Sequence, residues 1–524
     1  MRDAGLGRRE FLKLAALGAA GAAGAAALAD CGGTPPKPRP PVVAPATAAQ
    51  WLRYGASLRG RLVRRGAPGY PVARLLYNPK FDDLYPLAIA YCASPADVAA
   101  TIGFARSHGY PLAVRCGGHS YGGYSSGDGR LVCDVTEMRS VAPAARPGGT
   151  ATIGAGARLI DVYNALGTAN QLVPGGSCPS VGIAGLALGG GVGVFARQYG
   201  LTSDNVAALT VVTADARVLR CDESTNPDLY WACRGGGGGN FAVVTSFEMT
   251  THPMPPVTLF TYDFDWAAAA EVLGAWQHWS RGVNRAVWSN CQLLSGGGMQ
   301  LRVSGVACAA PAQTQAWVAP LLAAIPASPS YSFLGGEDYL HAMMVEAGCA
   351  SLTVAACHLT TATPGGVLSR DAFTASSSYV KEPMGSSALA ATVAAVDELA
   401  SQLPGLGGGI AFDALGGAVD DLAPTDTAFV HRGNIAGIQS SFNWGAATPA
   451  ATIAAGQRWL ARVGTSVYEP ANGAYQNYID PTLADWRTAY YGENLPRLEQ
   501  LKRRFDPDGV FSFAQSIPEA PLSG

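Results

Sequence analysis

The chain has 524 residues, 48% of them hydrophobic and only 14% charged, with a formal net charge of −2 at neutral pH. That length buries a large core and calls for two domains or more. The composition excludes a disordered chain, and the balanced charge gives no electrostatic reason to expect nucleic acid. Eleven cysteines, too spread out for a disulfide scaffold, show no CxxC or Cys/His ligand spacing, so no metal site is expected. Cys349 and Cys357 are a candidate pair after export, and buried free thiols are expected for most of the others.

At the N-terminus, Arg8-Arg9-Glu10-Phe11-Leu12-Lys13 precedes an apolar run from Leu14 to Ala29. The run is short and weakly hydrophobic for a membrane span, so no stable span is expected. Residues 1–29 read as a twin-arginine signal peptide, which makes the export machinery a partner and the extracellular space or cell envelope the destination. Ala27-Leu28-Ala29 offers a cleavage site. Leu28-Ala29-Asp30-Cys31 resembles a lipoprotein box with Cys31 as the lipidated residue, but the charge on Asp30 breaks the pattern, and simple cleavage is preferred.

Residues 30–76 read as a Pro-rich linker and N-terminal segment, with helical spacing from Trp51 to Val63. Tyr77-Asn78-Pro79 opens the first domain. Ser94 as N-cap and Pro95 at the first helical position predict a helix carrying Val98, Ile102 and Phe104. Strands are expected at Leu131–Val135 and Ala151–Ile153, a helix at Leu159–Leu166, and a hairpin from Val206–Thr213 and Ala216–Leu219 with Asp215 near its turn.

Two glycine-rich loops stand out. The first, Val114-Arg115-Cys116-Gly117-Gly118-His119-Ser120-Tyr121-Gly122-Gly123, follows a short strand. Paired glycines allow positive φ and bring backbone N–H groups close to a ligand, and Arg115 adds a charge able to offset a diphosphate. The second, Gly175-Gly176-Ser177-Cys178-Pro179-Ser180-Val181-Gly182-Ile183-Ala184-Gly185, runs on into Gly189-Gly190-Gly191 about sixty residues later.

At these loops the chain resembles the berberine bridge enzyme-like flavoprotein oxidases of the vanillyl-alcohol oxidase superfamily, from about Phe81 to the C-terminus. In many members a His in Arg-x-Gly-Gly-His and a Cys in Gly-x-Cys-x-x-Val-Gly both bond to one FAD. His119 and Cys178 hold those positions, so the resemblance implies bicovalent FAD. It also implies an α+β fold: a PCMH-type FAD-binding domain of two α/β subdomains over residues 77–255, and a substrate domain over 256–464 with an antiparallel sheet backed by helices. A closing segment, 465–524, returns to the FAD domain. The cofactor-binding set it implies is Arg115, Gly117, Gly118, His119, Ser120, Cys178, Val181, Gly182, Gly185, Gly189, Gly190, Gly191, Val243 and Asn477. Val243 follows the glycine run 235–239, which in the family lies along the adenosine side.

The catalytic set implied is Tyr475, Gln439 and Tyr199. Oxidising an alcohol needs a base for the hydroxyl proton, and a Tyr serves only where positive charge or hydrogen bonds favour its phenolate. Tyr475, in Tyr-x-Asn, matches the family's base, with Tyr478 as the fallback. Gln439 stands where other members carry Glu or Gln and is not itself a base. Gly437 replaces a Lys common in plant members and leaves the source of activating charge unidentified. Tyr199 and Tyr121 match aromatics near the site. Val181 is small enough to leave room for O2, which favours an oxidase over a dehydrogenase. The substrate expected is a hydroxyl-bearing small molecule, a carbohydrate or a secondary metabolite. An FAD dehydrogenase with another acceptor and a catalytically silent flavin-fold binding protein are the alternatives.

Overall fold

The computed structural model describes residues 44–467 and 472–519; the expected signal peptide, the lipidation candidate Cys31 and the linker up to residue 43 lie outside these residues. Three sheets organise the chain, and from Ala44 on they belong to one unit. The first contains β1 (Arg61–Arg64), β2 (Ala88–Tyr91), β3 (Leu112–Arg115) and β4 (Leu131–Asp134) in the order β1-β2-β4-β3. The pairings β2/β4 and β4/β3 are parallel, and β1 is added antiparallel at the edge. The expected helix from Trp51 to Val63 is therefore shorter. It runs from Ala48 to Ser57 and gives way to β1, because Gly60 packs so tightly on the Tyr91 carbonyl that no side chain fits there.

The second sheet has β5 (Val141–Ala142), β6 (Thr150–Gly154), β8 (Val206–Thr213), β9 (Val218–Cys221) and β10 (Ala242–Thr250) in the order β5-β6-β10-β8-β9. Every pairing in it is antiparallel. A small ribbon joins β7 (Gln171–Leu172) to β11 (His252–Pro253). The capped helix appears as Pro95–Ser107, with Ser94 Oγ accepting from the Asp97 N–H. The hairpin β8–β9 turns at Asp215, whose carboxylate accepts from the Thr213 hydroxyl.

The third sheet is seven-stranded and wholly antiparallel: β12 (Val257–Phe264), β13 (Val287–Ser295), β14 (Gln300–Ala307), β15 (Tyr331–Glu337), β16 (Ala372–Val380), β17 (Leu406–Ala414) and β18 (Ala436–Trp444), in the order β15-β12-β14-β13-β17-β18-β16. The strand period of two sorts its side chains. Cys291, Leu293, Ile410, Phe412, Ile438 and Phe442 join one buried cluster with residues of the helices Ala269–Gly282, Ser386–Gln402 and Ala450–Ser466. Their neighbours, Asn290, Gln292, Asp413, Gln439 and Ser441, line a cavity on the other face. The fold is α+β, as expected, with the antiparallel sheet backed by helices.

Side chains tie these parts together. Arg197 donates from Nε to the Val287 carbonyl at 2.7 Å, from Nη2 to Val283 at 3.0 Å, and from Nη1 to Leu415. Arg432 forms a buried pair with Asp204. Cys349 and Cys357 form a disulfide, as the sequence allowed. Among the described residues no helix is long and apolar enough to cross a membrane, and no His/Cys/Asp/Glu group is placed to hold a metal.

The C-terminal helix Leu495–Phe505 is fixed by a buried cation. Lys502 Nζ donates to the Asn240 carbonyl at 2.7 Å, the Phe511 carbonyl at 2.6 Å and Asp506 at 2.7 Å. Asp506 in turn accepts from the Val510 and Phe511 N–H groups, which closes the turn after the helix. Removing one partner of a buried pair costs about 3–5 kcal/mol. Lys502→Met should therefore lower the urea unfolding free energy by about that amount.

Candidate active site

The two glycine-rich loops lie side by side. A Cβ on Gly182 would sit 2.6 Å from the Gly117 N and even closer to Cys116 Sγ, so each loop needs the other's glycine. The second loop is stitched down by three backbone bonds, Leu159 N–H to Val181 O and Ile183 N–H to Ala157 O, both 3.0 Å, and Ile160 N–H to Pro179 O at 3.2 Å. This contact brings His119 and Cys178 to the wall of one cavity of about 1210 Å³.

His119 is held on three sides. Its ring stacks on Tyr77 at 4.0 Å between centroids, its Nε2 lies 3.0 Å from Ser180 Oγ, and Arg158 is near enough to repel a proton. Burial first, and then Arg158, push its pKa down to about 3. The imidazole is neutral at physiological pH, with Nδ1 as the nitrogen not engaged by Ser180. Cys178 is exposed, but to the cavity, and burial in that recess followed by Asp371 raises its thiol pKa.

Gly117, Gly118, Ser120, Val181, Gly182, Gly185 and Asn477 join His119 and Cys178 in the lining. The other expected cofactor contacts have different roles. Arg115 does not reach the cavity: it is buried in an ion pair with Asp134, and the guanidinium is committed to its own sheet. Gly189, Gly190 and Gly191 also stand back from the lining, and their missing side chains admit Asn477, Phe429 and Thr202. On β10 it is Ala242 and Val244 that line the cavity; Val243 alternates to the opposite face.

The expected catalytic residues separate likewise. Gln439 lines the cavity and donates from Nε2 to the Tyr121 hydroxyl at 2.9 Å. Tyr199 is absent from the lining, since its ring stacks on His252 at 4.2 Å. Tyr475 reaches the cavity wall, and its oxygen accepts hydrogen bonds. The N–H groups of Gly191 and Val192 donate to it at 2.9 and 3.1 Å, and Asn477 Nδ2 at 2.9 Å. Burial raises the Tyr475 pKa, and the three donors directed at the oxygen act against that rise by favouring the phenolate.

Tyr478 is placed differently. Its ring lies parallel to Tyr121, 5.3 Å away with 2° between planes, and among the described residues no hydrogen bond ties its oxygen. Burial, then Tyr121 and Asp413, hold its pKa well above the ordinary phenol value, and Cys178 contributes in the same direction. Asp413 and Cys178 are thus both near enough to act on the phenol.

The carboxyls of the site had no sequence motif. Asp413 on β17 and Glu346 on the helix Tyr339–Glu346 both line the cavity. Burial raises Asp413 to about 6, and burial with Asp413 nearby raises Glu346 to about 7. Lys80 adds a lining cation that burial brings down to about 8. Only the register of β17 on β13 and β18, which sets Asp413 opposite Asn290 and Gly437, carries Asp413 into the site.

Comparisons with known proteins fall on the same regions. A model described as "FAD binding domain" matches residues 86–222, and one described as "Berberine and berberine like" matches 474–518. An uncharacterised FAD-linked oxidoreductase of Bacillus subtilis, YgaK, is 30% identical over 465 residues, 88% of this chain and 97% of the relative. The structure of Physcomitrella patens BBE-like 1 aligns with a TM-score of 0.81 at 28% identity, covering 90% of this chain and 99% of that one. A glucooligosaccharide oxidase from Acremonium strictum, described with a 6-S-cysteinyl, 8α-N1-histidyl FAD, aligns at 0.79 and 26% identity, covering 90% and 99%. The cavity fits such a cofactor. Glycines make its cradle, and Trp288 Nε1 and Gln476 Oε1 in its lining are buried without a partner.

The loop contact gives a direct test. Gly182→Ala forces a methyl group into Cys116 and Gly117, and overpacking of this kind costs about 1–3 kcal/mol. Denaturant unfolding should show that loss together with a lower flavin-to-protein ratio. Gly103→Ala, in the helix Pro95–Ser107 with open space around it, should show neither.

Proposed function

As the chain belongs to the berberine bridge enzyme-like family of FAD-linked oxidoreductases, we propose that it is an exported oxidase acting on a CH–OH group of a carbohydrate, with O2 as acceptor and H2O2 as product. The observation that carries this reading is the sheet face opposite the two loops. Asn290, Gln292, Asp413, Gln439 and Ser441 present amides, a carboxyl and a hydroxyl to the cavity, beside the rings of Tyr121 and Tyr478. Amides and carboxyls suit a molecule with many hydroxyl groups, and aromatic faces suit the C–H face of a sugar ring. Val181, small and in the lining beside Cys178, supports O2 access. The twin-arginine stretch and the Cys349–Cys357 disulfide support export into an oxidising compartment.

FAD, when bound, supplies the hydride acceptor and passes the electrons on to O2. We assign its attachment to His119 and Cys178. With the Nε2 proton toward Ser180, His119 keeps its lone pair on Nδ1, the nitrogen named N1 in the glucooligosaccharide oxidase. The base is Tyr475: the Gly191 and Val192 N–H groups and Asn477 Nδ2 point at its oxygen and favour the phenolate, whereas burial, Tyr121 and Asp413 keep Tyr478 protonated. Gln439 holds the neighbouring Tyr121 hydroxyl and so sets the plane against which Tyr478 stacks. Tyr475 anchors the C-terminal segment to the loop at 191–192.

Acid-precipitated protein should stay yellow, and His119→Ala and Cys178→Ala should each retain flavin through the other residue. Complete release of flavin from the wild type on denaturation overturns the attachment.

Loss of a positioned base costs on the order of 10²–10⁴ in rate. Tyr475→Phe should slow anaerobic flavin reduction by a good sugar substrate within that range, whereas Tyr478→Phe should slow it less than about tenfold. The basic form of Tyr475 is the phenolate, so the reductive rate should rise as pH rises toward the alkaline side. Tyr475→Phe should flatten that rise. The reverse ranking of the two tyrosines would move the base role to Tyr478.

A further inference from the structure

His119 is gripped by a segment far from it in sequence. Tyr77 stacks on its ring at 4.0 Å and 18° between planes, and the Tyr77 N–H donates to the Gly118 carbonyl at 3.1 Å, one residue before the histidine. The Tyr77 hydroxyl donates to Asp371 Oδ2 at 3.0 Å, and Asp371 lies just before β16 of the seven-stranded sheet. The segment 76–82 is held to that sheet by further bonds. Arg370 donates to the Leu76 carbonyl at 2.8 Å and to the Asp82 carboxylate, and Asn78 Nδ2 donates to the Phe373 carbonyl at 2.8 Å. A strap from the N-terminal side thus crosses the edge of one sheet and ends with a ring against the attachment histidine of another part of the molecule.

We propose that Tyr77, braced by Asp371, is a positioning residue that sets His119 for flavin attachment, so that this bond forms only once the strap has seated on the seven-stranded sheet. The inference rests on the assignment of His119 as an attachment residue. Joining an imidazole nitrogen to a ring-methyl carbon replaces one N–H and one C–H by an N–C bond. The two hydrogens leave as two protons and two electrons, taken up by the flavin and then by O2, which becomes H2O2. Nothing in that balance needs a group from Tyr77. Orientation does: an error of about 1 Å at a reacting atom costs on the order of 100-fold in rate. Ser180 touches one nitrogen and leaves the plane of the ring free to tip, and the Tyr77 face removes that freedom. Among the described residues no ring contact or hydrogen bond holds the Cys178 sulfur, and Tyr77 and Asp371 reach it only through charge, so the two attachments should respond differently.

The experiment uses the full chain, made under riboflavin limitation and then incubated with FAD in air. Peptide mass spectrometry follows flavin on the His119 and Cys178 peptides separately. Tyr77→Leu should slow loading of the His119 peptide by about 10–100-fold while the Cys178 peptide loads at the wild-type rate. Tyr77→Phe keeps the ring and should lie near wild type, and Asp371→Ala, which frees the ring's far end, should fall between. Equal loading of His119 in the wild type and Tyr77→Leu overturns the inference while leaving the attachment assignment intact. A wild type with no flavin on His119 overturns both. Equal slowing at both peptides also overturns it, since that marks a general loss of structure; Asp371→Ala, which leaves Tyr77 in place, repeats the comparison if Tyr77→Leu does not fold.

Discussion

The structure depends on a close approach of backbone to backbone. Gly117 and Gly182 sit where neither loop tolerates a Cβ, and all the chemistry of the cavity descends from that contact. It lets a histidine and a cysteine about sixty residues apart share one wall. A side chain at either glycine separates the loops by the width of a methyl group, and both side chains then miss a common ligand. The stitching of Val181 and Ile183 to the residues around Arg158 holds the second loop at that distance. Burial of the ring, helped by the Arg158 charge that this stitching brings near, keeps His119 neutral and therefore nucleophilic.

The opposite wall follows a different logic. Strand alternation hands one set of residues to the helices and the other to the cavity, so apolar and polar functions are separated by parity alone. Phe412 is packed beneath the sheet while Asp413, one residue on, lines the site. The same parity explains Val243, whose neighbours face the cavity in its place. A wall built this way fixes several polar groups at strand spacing. It gives a rigid pattern of donors and acceptors, more selective for the spacing of hydroxyl groups than flexible loops would be.

Much of this was legible in the sequence, for reasons that differ by residue. His119 and Cys178 lie in loops whose glycines carry a local signature, and the helix after Ser94 announces itself by its cap and period. Arg115 pairs with a buried Asp134, and a charge beside a glycine loop looks the same in sequence whether it meets a ligand or such a partner. The choice between Tyr475 and Tyr478 turned on which oxygen the loop at 191–192 would occupy, a contact 284 residues away in the chain. Asp413 and Glu346 had no motif because only sheet register and helix placement bring them together. Tyr77 looked like the start of a domain, and its ring contact with His119 depends on how the strap crosses β16.

Arg197 has a further consequence. One guanidinium satisfies three backbone carbonyls from the start and end of the seven-stranded sheet's neighbouring segments, and it carries its charge across the physiological pH range. Rivets of that kind remove the hinge that many two-part enzymes use to swallow a ligand. Traffic through this cavity then falls to the rotation of individual rings and amides at its rim, on the timescale of side-chain motion. The enzyme works as a fixed socket: what enters must already have the shape of the space, and the cost of recognition is met during folding, before any substrate arrives.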